Sequence, residues 1–400
     1  MKKTYLILFL IGICIRSSGQ DNNDLLMRAR ALSDRGKLQE AISLLSESAA
    51  VTTDARILVA LGDARMNSGN YAEAVSAYNR ANTLSPASGE YGLARVSAIK
   101  GEARNSLAHL ELNINSGYRK AEKEIMLDPV FSVIENTADW RNFWKTERYS
   151  FTERKVSELE YCIGSGKIDE AMQLLNDLKS QYPGENATLY ARALTDCKLQ
   201  KYGDVMAVIT TLIAGDGKNE KYLRLLATAQ SASGNWAGAT DTYSSLLSSG
   251  VTDPLLYLKR AECYRRTGET SKAEADLGKY ISLYPENNEA LSLAGRLAQS
   301  SGENLKALDY FSVNLKLHPN DPQCYIDRAN SYFSSRSWDY AVSDYSMSLD
   351  IKPDNADVWL NKGISLLNIG KTQDACHDFR RALSLGNKKA ASYINTNCIK

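Results

Sequence analysis

Three histidines, His109, His318 and His377, are the only imidazoles in the 400-residue chain, and none has the neighbours that acid–base, nucleophilic or metal chemistry needs. His318 precedes Pro319 at a predicted turn, and the other two fall in predicted helices far apart in sequence. No His-Glu-x-x-His run and no Gly-x-Ser-x-Gly elbow occur. Gly215-Asp216-Gly217-Lys218 shares a Gly-Lys step with phosphate loops but lacks the upstream glycine spacing and the following Ser or Thr, and it sits where a turn is needed anyway. The seven cysteines, Cys14, Cys162, Cys197, Cys263, Cys324, Cys376 and Cys398, form no Cys-x-x-Cys pair and have neither zinc nor redox spacing. Acidic residues are scattered along helix faces. The inventory points to no enzyme, no cofactor and no metal site.

Bulk charge narrows the partners. The formal net charge is +1, and removing residues 1–19 leaves 45 basic against 47 acidic residues. That balance gives no electrostatic footprint for nucleic acid or for an anionic membrane surface, each of which calls for a basic stripe. The apolar fraction of 44% and charged fraction of 24% are those of an ordinary folded soluble protein.

The elements that would position any site come from one pattern. From Pro254, Asn288, Pro322 and Ala356 it returns every 34 residues without insertion. The eighth place holds Ala261, Gly295, Ala329 and Gly363, and the twentieth Ala273, Ala307, Ala341 and Ala375. The fifteenth holds Gly268, Gly302, Arg336 and Gly370, and the twenty-fourth Leu277, Phe311, Tyr345 and Phe379. Pro285, Pro319 and Pro353 stand at the thirty-second. Each period predicts a helix, a turn, a second helix and a proline stop. Small residues let the two helices approach, a large apolar residue fills the space beside them, and proline ends the second helix. The same register extends back through Glu220 and Asn186 to Thr152, giving seven units over 152–389. A weaker version over 22–117 gives three more, the clearest from Ala55 to Ser88. Residues 390–400 read as a final helix.

This pattern resembles the tetratricopeptide (TPR) repeat, and the resemblance implies an all-α solenoid, a right-handed superhelix of stacked helical hairpins. Residues 118–151 break the template. Their run Gly117-Tyr118, Asp128-Pro129-x-Phe131-x-x-Ile134 and Trp140 is similar to a segment found where one TPR block ends, and it reads as a helical plug over the third repeat, as an aromatic ligand site or as a hinge between blocks. In the family, places 2, 5, 6, 9, 12 and 13 tend to face a concave groove. Carried over, these places give Arg224, Lys259, Glu262, Arg266, Arg296, Asp327, Asn330 and Asn361 as candidate contacts for a protein or peptide partner. Asn330 and Asn361 have the spacing of the two asparagines of a carboxylate clamp, but Ile326, Ala391 and Asn395 stand where its cations belong. Lys259, Arg265, Arg266 and Arg296 form a local basic cluster that suits an acidic peptide or is an ordinary charged face. The C-terminal pattern resembles the closing repeat of many TPR proteins, and Cys376 and Cys398 on adjacent predicted helices are a candidate disulfide pair.

Met1-Lys2-Lys3, the apolar run from Tyr5 to Ile15, and Ser17-Ser18-Gly19 before Gln20 read as a secretory signal peptide. The expected destination is a periplasm or cell surface. Ile13 stands where a lipoprotein signal needs a small residue, which disfavours lipid attachment at Cys14. If uncleaved, the same segment would anchor a cytoplasmic array to a membrane. The function expected is that of a non-enzymatic scaffold of the cell envelope. A carbohydrate- or peptidoglycan-binding module is the alternative, suggested by 22 tyrosines and by Trp140, Trp144, Trp236, Trp338 and Trp359.

Overall fold

The computed structural model describes residues 21–398, and every regular element among them is helical. The signal segment expected over 1–19 lies outside the described residues. The architecture is an all-α solenoid of helical hairpins, divided into two compact units at Leu256 and Tyr257.

The first unit holds three hairpins, built from α1 (21–34) with α2 (Leu38–Ala49), α3 (Ala55–Asn67) with α4 (Tyr71–Leu84), and α5 (Glu90–Ile99) with α6 (Ala103–Ile114). Short helices α7 (Glu122–Met126) and α8 (Ala138–Phe143) flank a 3-10 turn at Pro129–Val133. Three further pairs follow: α9 (Phe151–Gly164) and α10 (Ile168–Gln181), α11 (Asn186–Lys198) and α12 (Tyr202–Gly215), α13 (Glu220–Ala232) and α14 (Trp236–Ser248). The second unit is built from α15 (Leu255–Thr267), α16 (Thr270–Leu283), α17 (Asn288–Ser300), α18 (Asn304–Leu317), α19 (Pro322–Ser334), α20 (Trp338–Ile351), α21 (Ala356–Asn368), α22 (Thr372–Ser384) and α23 (Ala390–Asn397). Helix starts at Asn186, Glu220, Asn288, Pro322 and Ala356 coincide with the predicted repeat starts.

Local chemistry explains the boundaries. First helices open on side-chain caps: Asp54, Asn219, Asp321 and Asn355 each accept a backbone N–H two residues on, satisfying donors that the first turn leaves free. Second helices end where proline follows. Ser85, Tyr182, Tyr284, His318 and Lys352 stand before prolines and leave the helical region at φ between −127° and −145°, as the proline ring requires of its predecessor. At the fifteenth place, the turn inside each hairpin, the backbone is left-handed. Eight glycines occupy it at φ of 73–85°, and Gln200 and Arg336 occupy it at 60°. A side chain is strained there. Gln200→Gly and Arg336→Gly are therefore each expected to raise stability by about 0.5–1 kcal/mol, the relief of strain exceeding the extra freedom gained by the unfolded chain. Urea midpoints check this, and an unchanged or lower midpoint contradicts it.

The core repeats as the turns do. The twentieth places Ala41, Ala74, Ala171, Val205, Ala239, Ala273, Ala307, Ala341 and Ala375 are wholly buried. Between helices of one hairpin, glycine faces an aromatic ring: a Cβ at Gly62 would sit 2.5 Å from the Tyr78 ring, and one at Gly363 would sit 2.6 Å from Phe379. Segment 118–151 packs on the third hairpin, with Phe131, Ile134, Trp140 and Tyr149 buried against Ala94, Ala98, Leu110 and Ile114. Asp128 fixes its start by accepting from Tyr91 at 2.8 Å and pairing with Arg95 at 2.9 Å. At the other end of the chain a disulfide joins Cys376 of α22 to Cys398 just beyond α23, with Cα atoms 5.6 Å apart. Cys162, Cys263 and Cys324 are buried free thiols. Burial pushes the Cys263 thiol up to about 11 and that of Cys324 to about 12, so both stay protonated and unreactive at neutral pH.

Candidate concave groove

The groove places of the second unit bring the predicted charges together, but in mutual pairs. Glu262 accepts from Arg265 and Arg266, each at 2.8 Å. Lys259 reaches Glu289 at 3.6 Å, and Arg296 reaches Asp327 at 3.4 Å. Asp327 is buried and also accepts from Ser292 Oγ at 2.6 Å and Gln323 Nε2 at 2.8 Å. Asn330 Oδ1 accepts from the Tyr345 hydroxyl at 2.7 Å, and the Asn361 carbonyl accepts from Ser365. In the first unit Arg224 pairs with Glu220 at 2.7 Å and Asp253 at 2.9 Å. The basic cluster expected from sequence is thus neutralised by acids on the same or the next first helix. Each such residue gives order to the groove wall and little net field to a ligand.

One of these acids supplies a pH test. Burial opposes ionisation of Glu262, but Arg265 and Arg266 outweigh it and hold the carboxyl below its ordinary range. A depressed folded-state value means stability that is present above the unfolded value, about 4.3, and is lost as pH falls through the lower folded value. Glu262→Gln is expected to be less stable than the parent at pH 7, the two urea midpoints converging as pH falls below about 4. A constant gap across that range contradicts the assignment.

In the first unit the same places line a cavity of about 420 Å³. Leu26, Arg30 and Ser33 come from α1, and Arg56, Val59, Ala60, Asp63 and Asn67 from α3. Alanines Ala29, Ala55, Ala60 and Ala64 leave the space open, and Leu45 backs it. Arg56 holds both oxygens of Asp54, with Nη2 at 2.7 Å, while its Nη1 donates to the Gly250 carbonyl at 3.2 Å. This contact seats the loop after α14 at the mouth, where Thr252 joins the lining. On the floor, Asp63 Oδ1 accepts from the Tyr78 hydroxyl at 2.7 Å. Burial pushes the Asp63 carboxyl above its ordinary range, the bond from Tyr78 pulling the other way. Sequence reading passed over Arg56, Val59 and Asp63 because it chose residues from the regular C-terminal register. Applying the six groove places to the repeats at Asn22 and Ala55 would have found them. The 194-residue reach from Arg56 to Gly250 has no local signal at all.

A smaller cavity of about 260 Å³ follows the groove through α9, α11 and α13, with Tyr190 and Tyr222 tilted against each other at 5.5 Å. Its cations are paired: Lys221 lies 3.8 Å from Glu160, Arg119 3.4 Å from Glu153, Lys120 3.5 Å from Glu124 and Arg154 2.8 Å from Glu147. Four of the five tryptophans serve packing. Trp140 stacks on Phe131 at 5.6 Å, Trp144 on Tyr149 at 6.4 Å, Trp338 meets Phe333 edge-on at 5.2 Å, and Trp359 Nε1 donates to the Pro353 carbonyl at 2.9 Å. Among the described residues no group of three His, Cys, Asp or Glu side chains could hold a metal ion, and no helix is long and apolar enough to cross a membrane.

Comparison with known proteins agrees with the repeat. A tetratricopeptide-repeat family profile matches residues 26–89, and a second profile of the same repeat matches 256–287. The DnaJ homolog subfamily C member 7 homolog of Schizosaccharomyces pombe is 29% identical over 168 residues, which cover 37% of this chain and 34% of the relative. DnaJ homolog subfamily C member 3 of Gallus gallus is 28% identical over 269 residues, covering 64% of this chain and 47% of the relative. The chain therefore spans half or less of the length of these curated relatives. A solved tetratricopeptide repeat protein from Parabacteroides merdae superposes with a TM-score of 0.49 at 20% identity, covering 61% of this chain and 96% of that one.

Proposed function

Because the chain is a tetratricopeptide repeat protein, we propose that it is a non-enzymatic scaffold of the cell envelope that holds a segment of a partner protein in the concave groove of its first unit. The observation that carries this reading is the cavity on the groove places of α1 and α3, which has a mostly apolar wall and an acidic floor. Its size falls within the roughly 300–1,000 Å³ of pockets that enclose a small ligand or a few side chains. Tetratricopeptide repeat proteins are typically platforms for protein–protein interaction. Export is inferred from the basic start, apolar run and small residues of 1–19.

Brief crosslinking in the native cells, affinity purification and mass spectrometry test both parts. The expected result is one dominant protein partner, lost when Ala60→Arg fills the cavity, together with an N-terminal peptide beginning near Gln20. Recovery on cell-wall sacculi in place of a protein, unaffected by Ala60→Arg, would move the assignment to an envelope polymer. An intact Met1 in the purified chain overturns cleavage before Gln20, and recovery of the chain in the cytoplasmic fraction overturns export.

A further inference from the structure

We propose that the cavity of the first unit selects a partner segment that presents an apolar side chain beside a cationic one, the apolar group packing against Leu26, Val59 and Ala60 and the cation meeting the Asp63 carboxylate. The inference rests on the groove-binding reading and adds the chemistry of the ligand. Two features of the cavity carry it.

The first is an acid outside ion-pair contact. Asp63 takes one hydrogen bond, from Tyr78, and makes no ion pair among the described residues. Arg95 and Lys120 act on it only at longer range and are engaged elsewhere, Arg95 with Asp128 at 2.9 Å and Lys120 with Glu124 at 3.5 Å, while Arg56 of the cavity wall holds Asp54 at 2.7 Å. A carboxylate set in a partly apolar wall gains most from a ligand that brings its own positive donor. Second, the acid is aimed. Tyr78 is wholly buried between Gly62 and Gly92, where neither position has room for even a methyl group. Its hydroxyl therefore holds Asp63 in one orientation, which lowers the ordering cost of binding. Apolar surface and one aimed carboxylate outside ion-pair contact together describe the complement of a short peptide with Leu-Lys or Arg-Met character. An acidic segment would place like charges together and is disfavoured.

The test selects random twelve-residue peptides, displayed on phage, against the full chain. One enriched sequence is then synthesised and titrated by calorimetry. Enriched peptides are expected to carry Leu, Ile, Met or Phe within two residues of Lys or Arg. Replacing that cation by Gln should weaken binding about tenfold, as removal of a charge-assisted hydrogen bond does. Asp63→Asn should cause a similar loss and make the peptide substitution silent, and Ala60→Trp should abolish binding. The peptide substitution reads the same contact without altering the protein, so an unfolded variant does not rescue the idea. Enrichment of acidic or uncharged peptides, or equal binding of the Lys and Gln peptides, overturns the proposed chemistry while leaving a groove scaffold in place. Self-association of the chain that competes with the peptide overturns it in favour of a second copy. Absence of any enriched peptide overturns this proposal and the groove reading together.

Discussion

Phe311→Ala is expected to lower stability by about 3–5 kcal/mol, since it empties one of the largest wholly buried positions of the second unit. The phenyl ring lies between α17 and α18 directly over Gly295, where an added Cβ would overlap it. Gly295→Ala alone should therefore cost about 1–3 kcal/mol, although alanine is the better helix former. The sign is the discriminating point, because helix propensity by itself favours alanine. Combining Gly295→Ala with Phe311→Leu should cost less than the sum of the single changes, because the shorter side chain vacates the space that the methyl needs. Urea unfolding of the four proteins measures this. A stabilising Gly295→Ala would mean that the hairpin is not held by this close approach.

The second large effect concerns ion pairs that recur with the repeat. Arg260 grips Asp276 through Nε at 2.7 Å and Nη2 at 2.8 Å, and Arg328 grips Asp344 with the same two distances. Lys362 faces Asp378 at 3.3 Å one repeat further on. All three aspartates are buried. Asp276→Ala leaves a half-buried guanidinium without its acceptor and is expected to cost about 3–5 kcal/mol. The double replacement Arg260→Met with Asp276→Leu should recover most of that loss, because removing both charges also removes the need to desolvate them. Asp378→Ala should cost less than Asp276→Ala, since a lysine makes one contact where arginine makes two. Thermal unfolding followed by circular dichroism ranks these variants. Equal stability of Asp276→Ala and the parent would contradict the pairing.

The architecture was legible because it is set by local rules that repeat. The left-handed turn at the fifteenth place, the wholly buried twentieth residue and the proline after the second helix are each written in one or two residues. Even Arg336, which carries the wrong residue type for that turn, takes the left-handed backbone that its neighbours' register implies. The candidate site was only partly legible. Lys259, Arg266 and Arg296 lie on α15 and α17, but their pairing with Glu289, Glu262 and Asp327 depends on which side chains face one another. The pairs at places seven and twenty-three leave a faint signal, an Arg or Lys followed sixteen residues later by Asp, that goes unremarked until the contact is seen. The register marks Asp63 as a groove place of the repeat at Ala55, but its lack of an ion pair is set by which side chains face one another and leaves no signal in the sequence. The closure of the first cavity by Arg56 and the Gly250 carbonyl depends on tertiary geometry alone.

The central claim is that the first unit's groove is the surface that holds a partner, and photo-crosslinking from single positions tests it most directly. A photoreactive phenylalanine analogue replaces Val59 on the cavity wall in one chain, and Thr83, exposed on α4, in another. Both chains are irradiated in the native cells. The account predicts one discrete protein adduct from the Val59 position, absent from the Thr83 position and lost when Asp63→Asn is added. Adducts of equal yield from both positions, or none from Val59 while Thr83 crosslinks, would place the binding surface elsewhere on the chain.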